Sequence, residues 1–404
     1  IMDVNKLRRD FPLLQENNGQ KPVTYLDNAC QSLRPRQVID AINLYYQKYP
    51  ACGGRSMHHL ANEVNQYCDQ ARGAVAKFIG ANRKEEVVFT RNTTEGINLV
   101  ANALGLRAGD VVLITDKEHN SNLIPWQMLA KRQGIVFKIV PSNEDNTFNL
   151  RAFESMLDPR VKLVSFGYTS NLDGVTIPAE EIIAKAHRNG ALVLIDAAQA
   201  APHMKINVKK LDVDFLAFSG HKMLGPSGMG VLYGKYQHLE RMDTFMVGGD
   251  TVARSTYDSC EFLPPPEKFE AGLQDYAGII GMGAAVKYLQ DVGMDAIEKQ
   301  EHFLNECISR EITTIPGLKL IGPQDPKLRG SIVSFYIDGV DSHSVALMLD
   351  QMANIQVRSG QHCVHSWFNA HHIQGSVRAS LYFYNTEEEA TLFVNSLRKI
   401  RKVL

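Results

Sequence analysis

Between Glu86 and Gly234 the chain alternates short, β-branched apolar runs with stretches of helical period. The runs Glu86–Thr90, Val111–Thr115, Ile135–Val140, Val161–Phe166, Ala191–Asp196, Val213–Phe218 and Met229–Tyr233 predict seven strands. Helices are predicted between several of them, at Thr94–Leu104, Leu123–Gln133 and Pro178–Arg188. The strands are apolar nearly throughout rather than at every second position. That suits a mostly parallel sheet covered on both faces. Such sheets place ligands beyond the carboxyl ends of their strands, so the residues just after each strand are the ones to search for chemistry.

From Phe245 to Glu267 the regularity fails around Gly248-Gly249 and Pro264-Pro265-Pro266, which predicts a linker or a long functional loop. Helical stretches follow near Gly278–Gln290 and Met294–Thr313. A second α/β pattern then runs through strand Ser331–Ile337, helix Ser342–Gln351, strands Ile355–Arg358 and Ser376–Leu381, and helix Thr386–Arg401. The expected architecture is α/β: a large sheet domain over residues 21–290 and a smaller C-terminal domain over 291–404, with residues 1–20 packed on the small one.

Composition narrows the class. Of the 404 residues 44% are hydrophobic and 22% charged, close to the globular average, so a sizeable core is expected. The balance of 43 basic against 44 acidic side chains argues against electrostatic capture of nucleic acid or an anionic membrane. No apolar run reaches the ~20 residues of a bilayer span, and the first residues lack the apolar core of a signal peptide. Cys30, Cys52, Cys68, Cys260, Cys307 and Cys363 are scattered without a Cys-x-x-Cys pair. That argues against a disulfide framework and for a reducing, cytoplasmic setting.

The strand ends are rich. Ser219-Gly220-His221-Lys222 follows Val213–Phe218 directly. A lysine at a sheet edge is usually a solvated charge, but one desolvated in a cleft is suited to covalent chemistry with a carbonyl. Asp196 closes the run before it. It is either a helix cap or the carboxylate that keeps a pyridine nitrogen protonated. Thr93-Thr94 begins a helix, where hydroxyls and free amides are ordinary caps and also a ready phosphate site. His119, in Glu118-His119-Asn120-Ser121-Asn122, is a satisfied histidine or a flat partner for an aromatic cofactor. Asn171 offers an amide after Val161–Phe166. Together these ends supply phosphate, stacking, amide, carboxylate and amine groups.

This set resembles the fold-type-I pyridoxal-phosphate enzymes of aminotransferase class V: Ser219-Gly220-His221-Lys222, Asp196-Ala197-Ala198-Gln199, Thr93-Thr94-Glu95-Gly96 and the His119 segment. Arg358-Ser359-Gly360-Gln361-His362-Cys363 and Arg378-Ala379-Ser380 narrow the resemblance to cysteine desulfurases of the SufS/CsdA (type II) group, also described as selenocysteine lyases. It runs from Tyr25-Leu26-Asp27 to the last helix. It implies pyridoxal 5'-phosphate held covalently by Lys222, its ring nitrogen on Asp196, its ring oxygen on Gln199, its face on His119 and its phosphate on Thr93, Thr94, Ser219 and His221. Asn171 and Arg378 would clamp the substrate carboxylate, Arg358 would stand near the substrate, and Cys363 would be the persulfide-forming nucleophile. His119 would also shuttle protons. The same resemblance implies L-cysteine as substrate, a homodimer with shared sites, and a sulfur-acceptor protein of the SufE or SufU kind, or a scaffold, feeding iron-sulfur cluster assembly. His343 matches a histidine that some relatives use to dock a zinc-bearing acceptor.

The chain departs from the group's pattern in places. Asn92 stands where glycine is common, and Ala197 likewise. Glu270-Ala271-Gly272-Leu273-Gln274 has leucine in place of a threonine that reaches the partner subunit's phosphate. Gly54 replaces a histidine before Arg55. Other readings differ in kind. A zinc site among Cys363, His362, His365, His371 and His372 lacks the paired short spacings zinc favours, so no metal is expected. Cys363 as an inert buried thiol is weighed against Arg358 and Arg378, which would favour its thiolate. Cys30 is a minor second candidate for the nucleophile. A dinucleotide site at Gly281-Met282-Gly283 ends in Val286 with no clear strand before it. Selenocysteine lysis or another class V reaction is the alternative within the enzyme class.

Overall fold

The structure is a computed structural model that describes residues 2–16, 21–54 and 56–403. Arg55 lies outside the described residues. In chain order the strands are β1 (Thr24–Tyr25), β2 (Val87–Thr90), β3 (Val111–Thr115), β4 (Val136–Val140), β5 (Val161–Gly167), β6 (Leu192–Asp196), β7 (Phe215–Ser219) and β8 (Gly230–Gly234). They continue as β9 (Val252–Ser255), β10 (Cys260–Phe262), β11 (Leu318–Ile321), β12 (Ile332–Ile337), β13 (Ile355–Gln356), β14 (Arg358–Gly360) and β15 (Ser376–Ser380).

A seven-stranded sheet runs β2-β8-β7-β6-β5-β3-β4. Its β7-β6-β5-β3-β4 portion is parallel, and β8 is antiparallel to both β2 and β7. Two reversals restore direction, so β2 ends at the same edge as β7: Thr90 and Ser219 both face Gly230 in register. The carboxyl ends of β2, β3, β5, β6 and β7 therefore share one edge. Apolar clusters cover both faces, one including Val75, Ile182 and Phe218, the other Ile97, Trp126 and Leu232. This is why the strands read as continuous apolar runs. The outermost strand, β4, is the exception, with an exposed Val136 and Ile139.

A second, antiparallel sheet runs β11-β12-β15-β14. It packs on the helices Met294–Ile312, Ser342–Ala353 and Glu387–Val403 around Leu304, Phe335, Leu349 and Phe393. Near the start of the chain, β1 pairs with β13, and Asp27 bridges to Ser380. Phe11 is buried against Tyr288, Phe383 and Tyr384.

Several expectations change. The predicted strand Ile355–Arg358 is two strands serving different neighbours: β13 joins β1, and β14 joins β15. The irregular stretch 245–267 contains an antiparallel pair, β9 with β10. Its side chains are largely exposed, so no two-residue alternation marked it. Helices Arg36–Lys48 and His59–Ile79 were not anticipated. Gly281 and Gly283 sit inside helix Tyr276–Val292. A Cβ there would come within 2.7 Å of Ile42 and 2.8 Å of Ala71. These glycines let helices approach closely and form no dinucleotide turn.

Candidate active site

The shared strand edge opens on a cavity of about 220 Å³. Lys222 enters it from the single turn after β7, and Asp196 from the last position of β6, the adjacent strand. Both are shaped by desolvation. Burial pulls the Lys222 amine below the ordinary lysine range, with Asp196 acting against it. The cavity leaves part of the lysine side chain accessible. Burial also pushes Asp196 up, opposed by the backbone N–H of Ala198 at 2.9 Å and by Lys222. Gln199 donates from Nε2 to the Ala29 carbonyl at 2.7 Å, while its buried Oε1 has no partner.

At the other end of the cavity helix Thr93–Ala103 starts, capped by Asn92, whose side chain accepts from the Glu95 N–H at 3.0 Å. The asparagine in the glycine position thus satisfies a first-turn amide that would otherwise be orphaned. Its backbone lies so close to Gly230 that a Cβ there would fall 2.6 Å from the Asn92 Cα. Ser219 ties the helix start to β7: its Oγ accepts from the Thr93 N–H at 2.9 Å and lies 2.6 Å from the Thr93 Oγ1. Thr94 meets Ser121 at 2.7 Å, and Ser121 lies 3.0 Å from His119 Nδ1. The Ser121 N–H also donates to that Nδ1, at 3.1 Å, which places the neutral ring's proton on Nε2. Burial, then Lys222 and the arginines, hold His119 down at about 3, and His221 is held at about 4 by burial and then Lys222. Both rings are uncharged near neutrality.

The second sheet closes the cavity. Arg378 on β15 is 2% exposed, and burial lowers it to about 10. Its Nη1 donates to the Asn171 carbonyl at 2.9 Å, and its Nε has no partner. Arg358 stands opposite it in register on β14. Cys363 follows in a tight left-handed stretch, with φ of 49° at His362 and 60° at Cys363. Backbone bonds hold that conformation: Asn171 Nδ2 donates to the His362 carbonyl and the Asn120 N–H to the Cys363 carbonyl, each at 2.8 Å.

Every residue singled out in the sequence for cofactor, substrate or nucleophile lines this one cavity. The histidines around Cys363 diverge instead of converging on a metal: His362 bonds Ser376, His365 bonds Asn120, and His371 stacks on Trp367. Sequence reasoning gave no role to Ser121 and Glu118, which line the cavity, or to Asp27 beside Arg378. Asp27 sits 3.6 Å from Arg378. Glu118, buried and pushed up to about 7, bonds Thr115, Asn122 and the Gly167 N–H. The signal for Ser121 was its spacing, two residues past His119 at a helical turn. At the missing threonine position, Leu273 is 70% exposed, and Gln274 donates to the carbonyls of its own turn.

The lining fits pyridoxal phosphate on three counts. A buried carboxyl suits a pyridine nitrogen, the unpartnered Gln199 Oε1 suits a ring hydroxyl, and hydroxyls at a helix start suit a phosphate. Comparison with known proteins bears on the same point. The family model described as aminotransferase class-V matches residues 24–393. A protein of Synechocystis sp. named a probable cysteine desulfurase is 43% identical, covering 97% of this chain and 94% of its own. The apo structure of a cysteine desulfurase from Thermococcus onnurineus superposes with a TM-score of 0.94 at 37% identity, covering 100% of this chain and 99% of that one. The cysteine desulfurase CsdA of Escherichia coli, solved with an S-sulfonic acid, gives 0.92 at 32% identity and covers 100% of each chain.

Proposed function

The chain belongs to the class-V aminotransferase family, and we propose from that footing that it is a pyridoxal-phosphate-dependent cysteine desulfurase. L-cysteine goes to L-alanine, and the sulfur stays on Cys363 as a persulfide. One observation carries the reading: Cys363 lines the same cavity as Lys222, Asp196 and Arg378. Plain transamination has no use for that thiol.

Bound there, pyridoxal phosphate supplies the electron sink that makes the substrate Cα proton acidic. Lys222 would anchor the cofactor and, once free of it, take that proton with an amine that burial pulls below the ordinary lysine range. Asp196 pairs with the ring nitrogen, Gln199 with the ring oxygen and His119 with the ring face. Thr93, Thr94, Ser219 and His221 hold the phosphate. Arg378 receives the substrate carboxylate through its planar fork, with Asn171 beside it and Arg358 nearby. Cys363 attacks the substrate sulfur as thiolate. The Cβ–S bond breaks with its electrons going to carbon, and His119 delivers or accepts a proton through Nε2.

The chain's surroundings follow from the same reading. Residues 21–290 bind the cofactor, while 291–404, with 1–20, carry the cysteine loop. Two copies form a homodimer: the β9–β10 pair is too small to stand alone, and Tyr257, Met246, Val247 and Leu273 leave an apolar surface beside it. Sedimentation at micromolar concentration should give the dimer; a fully active monomer would contradict it. Of the described residues, none forms a helix long and apolar enough to cross a membrane. A cytoplasmic setting, a SufE- or SufU-like acceptor near His343, which bonds Ser359 at 2.8 Å, and iron-sulfur assembly complete the proposal.

Turnover of L-cysteine and L-selenocysteine, with alanine and released chalcogen quantified, tests the whole. Alanine and sulfane sulfur in equal amounts from cysteine are expected. Alanine from selenocysteine alone would make the enzyme a selenocysteine lyase, and a keto acid without alanine would refute both.

A further inference from the structure

Cys30 lies in the cavity as well. Its sulfur accepts a hydrogen bond from Arg358 Nη1 at 2.7 Å, across 328 positions of sequence. Its backbone is fixed: the Cys30 N–H donates to the Asp27 carbonyl at 3.1 Å, and the Ala29 N–H to Ser380 Oγ at 2.9 Å. None of the remaining cysteines lines the cavity. Cys52 and Cys260 are exposed on the surface, Cys307 is raised by burial, and Cys68 is pushed up to about 12 by burial. Cys30 and Cys363 thus form a pair of half-buried thiols in one chamber. Its wall also holds two unpartnered polar atoms, Arg378 Nε and Gln199 Oε1, on side chains 2% and 3% exposed. A chamber built this way receives polar reactants. An arginine already donating to one sulfur can stabilise negative charge as it passes between sulfurs.

We infer that Cys30 is a second sulfur-carrying thiol of the site, taking the sulfane sulfur from Cys363. The inference rests on the reading of Cys363 as first acceptor. The Cys30 thiolate attacks the outer sulfur of the Cys363 persulfide. A new S–S bond forms on Cys30, the old one breaks, and Cys363 leaves as thiolate. The proton on the outer sulfur travels with it, and nothing is oxidised or reduced overall. Cys363 is then free for a second substrate, so one site holds two sulfur atoms before any acceptor arrives.

Rapid quench of the holoenzyme with a few equivalents of L-cysteine, without added thiol, reads this out as burst stoichiometry. About two alanines per site are expected for the parent, and about one for both Cys30→Ala and Cys30→Ser. Peptide mass spectrometry of the quenched parent should find added sulfur first on Cys363 and later on Cys30, and Cys363→Ser should place none on Cys30. A burst of one alanine with Cys363 loaded and Cys30 never modified would overturn the inference and leave the desulfurase reading standing. Sulfur on Cys30 in Cys363→Ser would overturn the order of transfer. Absence of alanine would overturn both.

Discussion

Lys222→Ala is expected to yield a folded protein that has lost its covalent hold on the cofactor and nearly all turnover, by on the order of 10⁴-fold or more. Folding should survive because the side chain borders a cavity and makes no part of the apolar clusters on either sheet face. The chemistry should not survive, because two duties, anchorage and proton transfer at Cα, both fall on the Lys222 amine. Borohydride reduction followed by peptide mapping checks the assignment in the parent protein. The pyridoxyl label belongs on Lys222, and finding it on another lysine would refute the site as described.

Cys363→Ser should bind L-cysteine and show the early spectral changes, yet accumulate no persulfide and lose alanine formation by roughly 10²-fold or more. The two steps separate because carboxylate binding belongs to Arg378 and Asn171 and proton removal to Lys222, while only the thiol accepts sulfur. Serine keeps the size of the side chain, so the left-handed turn held by Asn120 and Asn171 should persist. Mass spectrometry after one turnover decides the matter. Added sulfur on Cys363 in the parent is expected, and an unmodified Cys363 beside a loaded thiol elsewhere would remove it from the first step.

Most of the large sheet could be read from the chain, because its central strands are buried on both faces and their apolar runs need no knowledge of partners. Val111–Thr115 is a strand of those bounds in both readings. The exposed β9–β10 pair left no such trace. The run Ile355–Arg358 looked single because β propensity is indifferent to which neighbour each half pairs with. The site was legible as residue types at strand ends, but its interior contacts were not. Ser121 carried no signal beyond a turn, and Cys30 stood only as a minor second candidate for the nucleophile, its hydrogen bond from Arg358 being set by the fold.

By itself the sequence determined the alternation of strands and helices, the positions of lysine, aspartate and threonines just past strand ends, and a near-neutral charge that argues against electrostatic capture of nucleic acid. Those are local properties, written in neighbouring residues. Only the tertiary structure decided that β2 and β7 end at the same edge, because that depends on β8 reversing direction between them. Only it decided that Arg358, Cys363 and Cys30 enter one chamber with Lys222. Contacts spanning 207 positions from Asn171 to Arg378, and 328 from Cys30 to Arg358, are made by sheet pairing and burial. No short-range pattern encodes them, since each side chain's neighbours, charge state and freedom are set by what the fold brings against it.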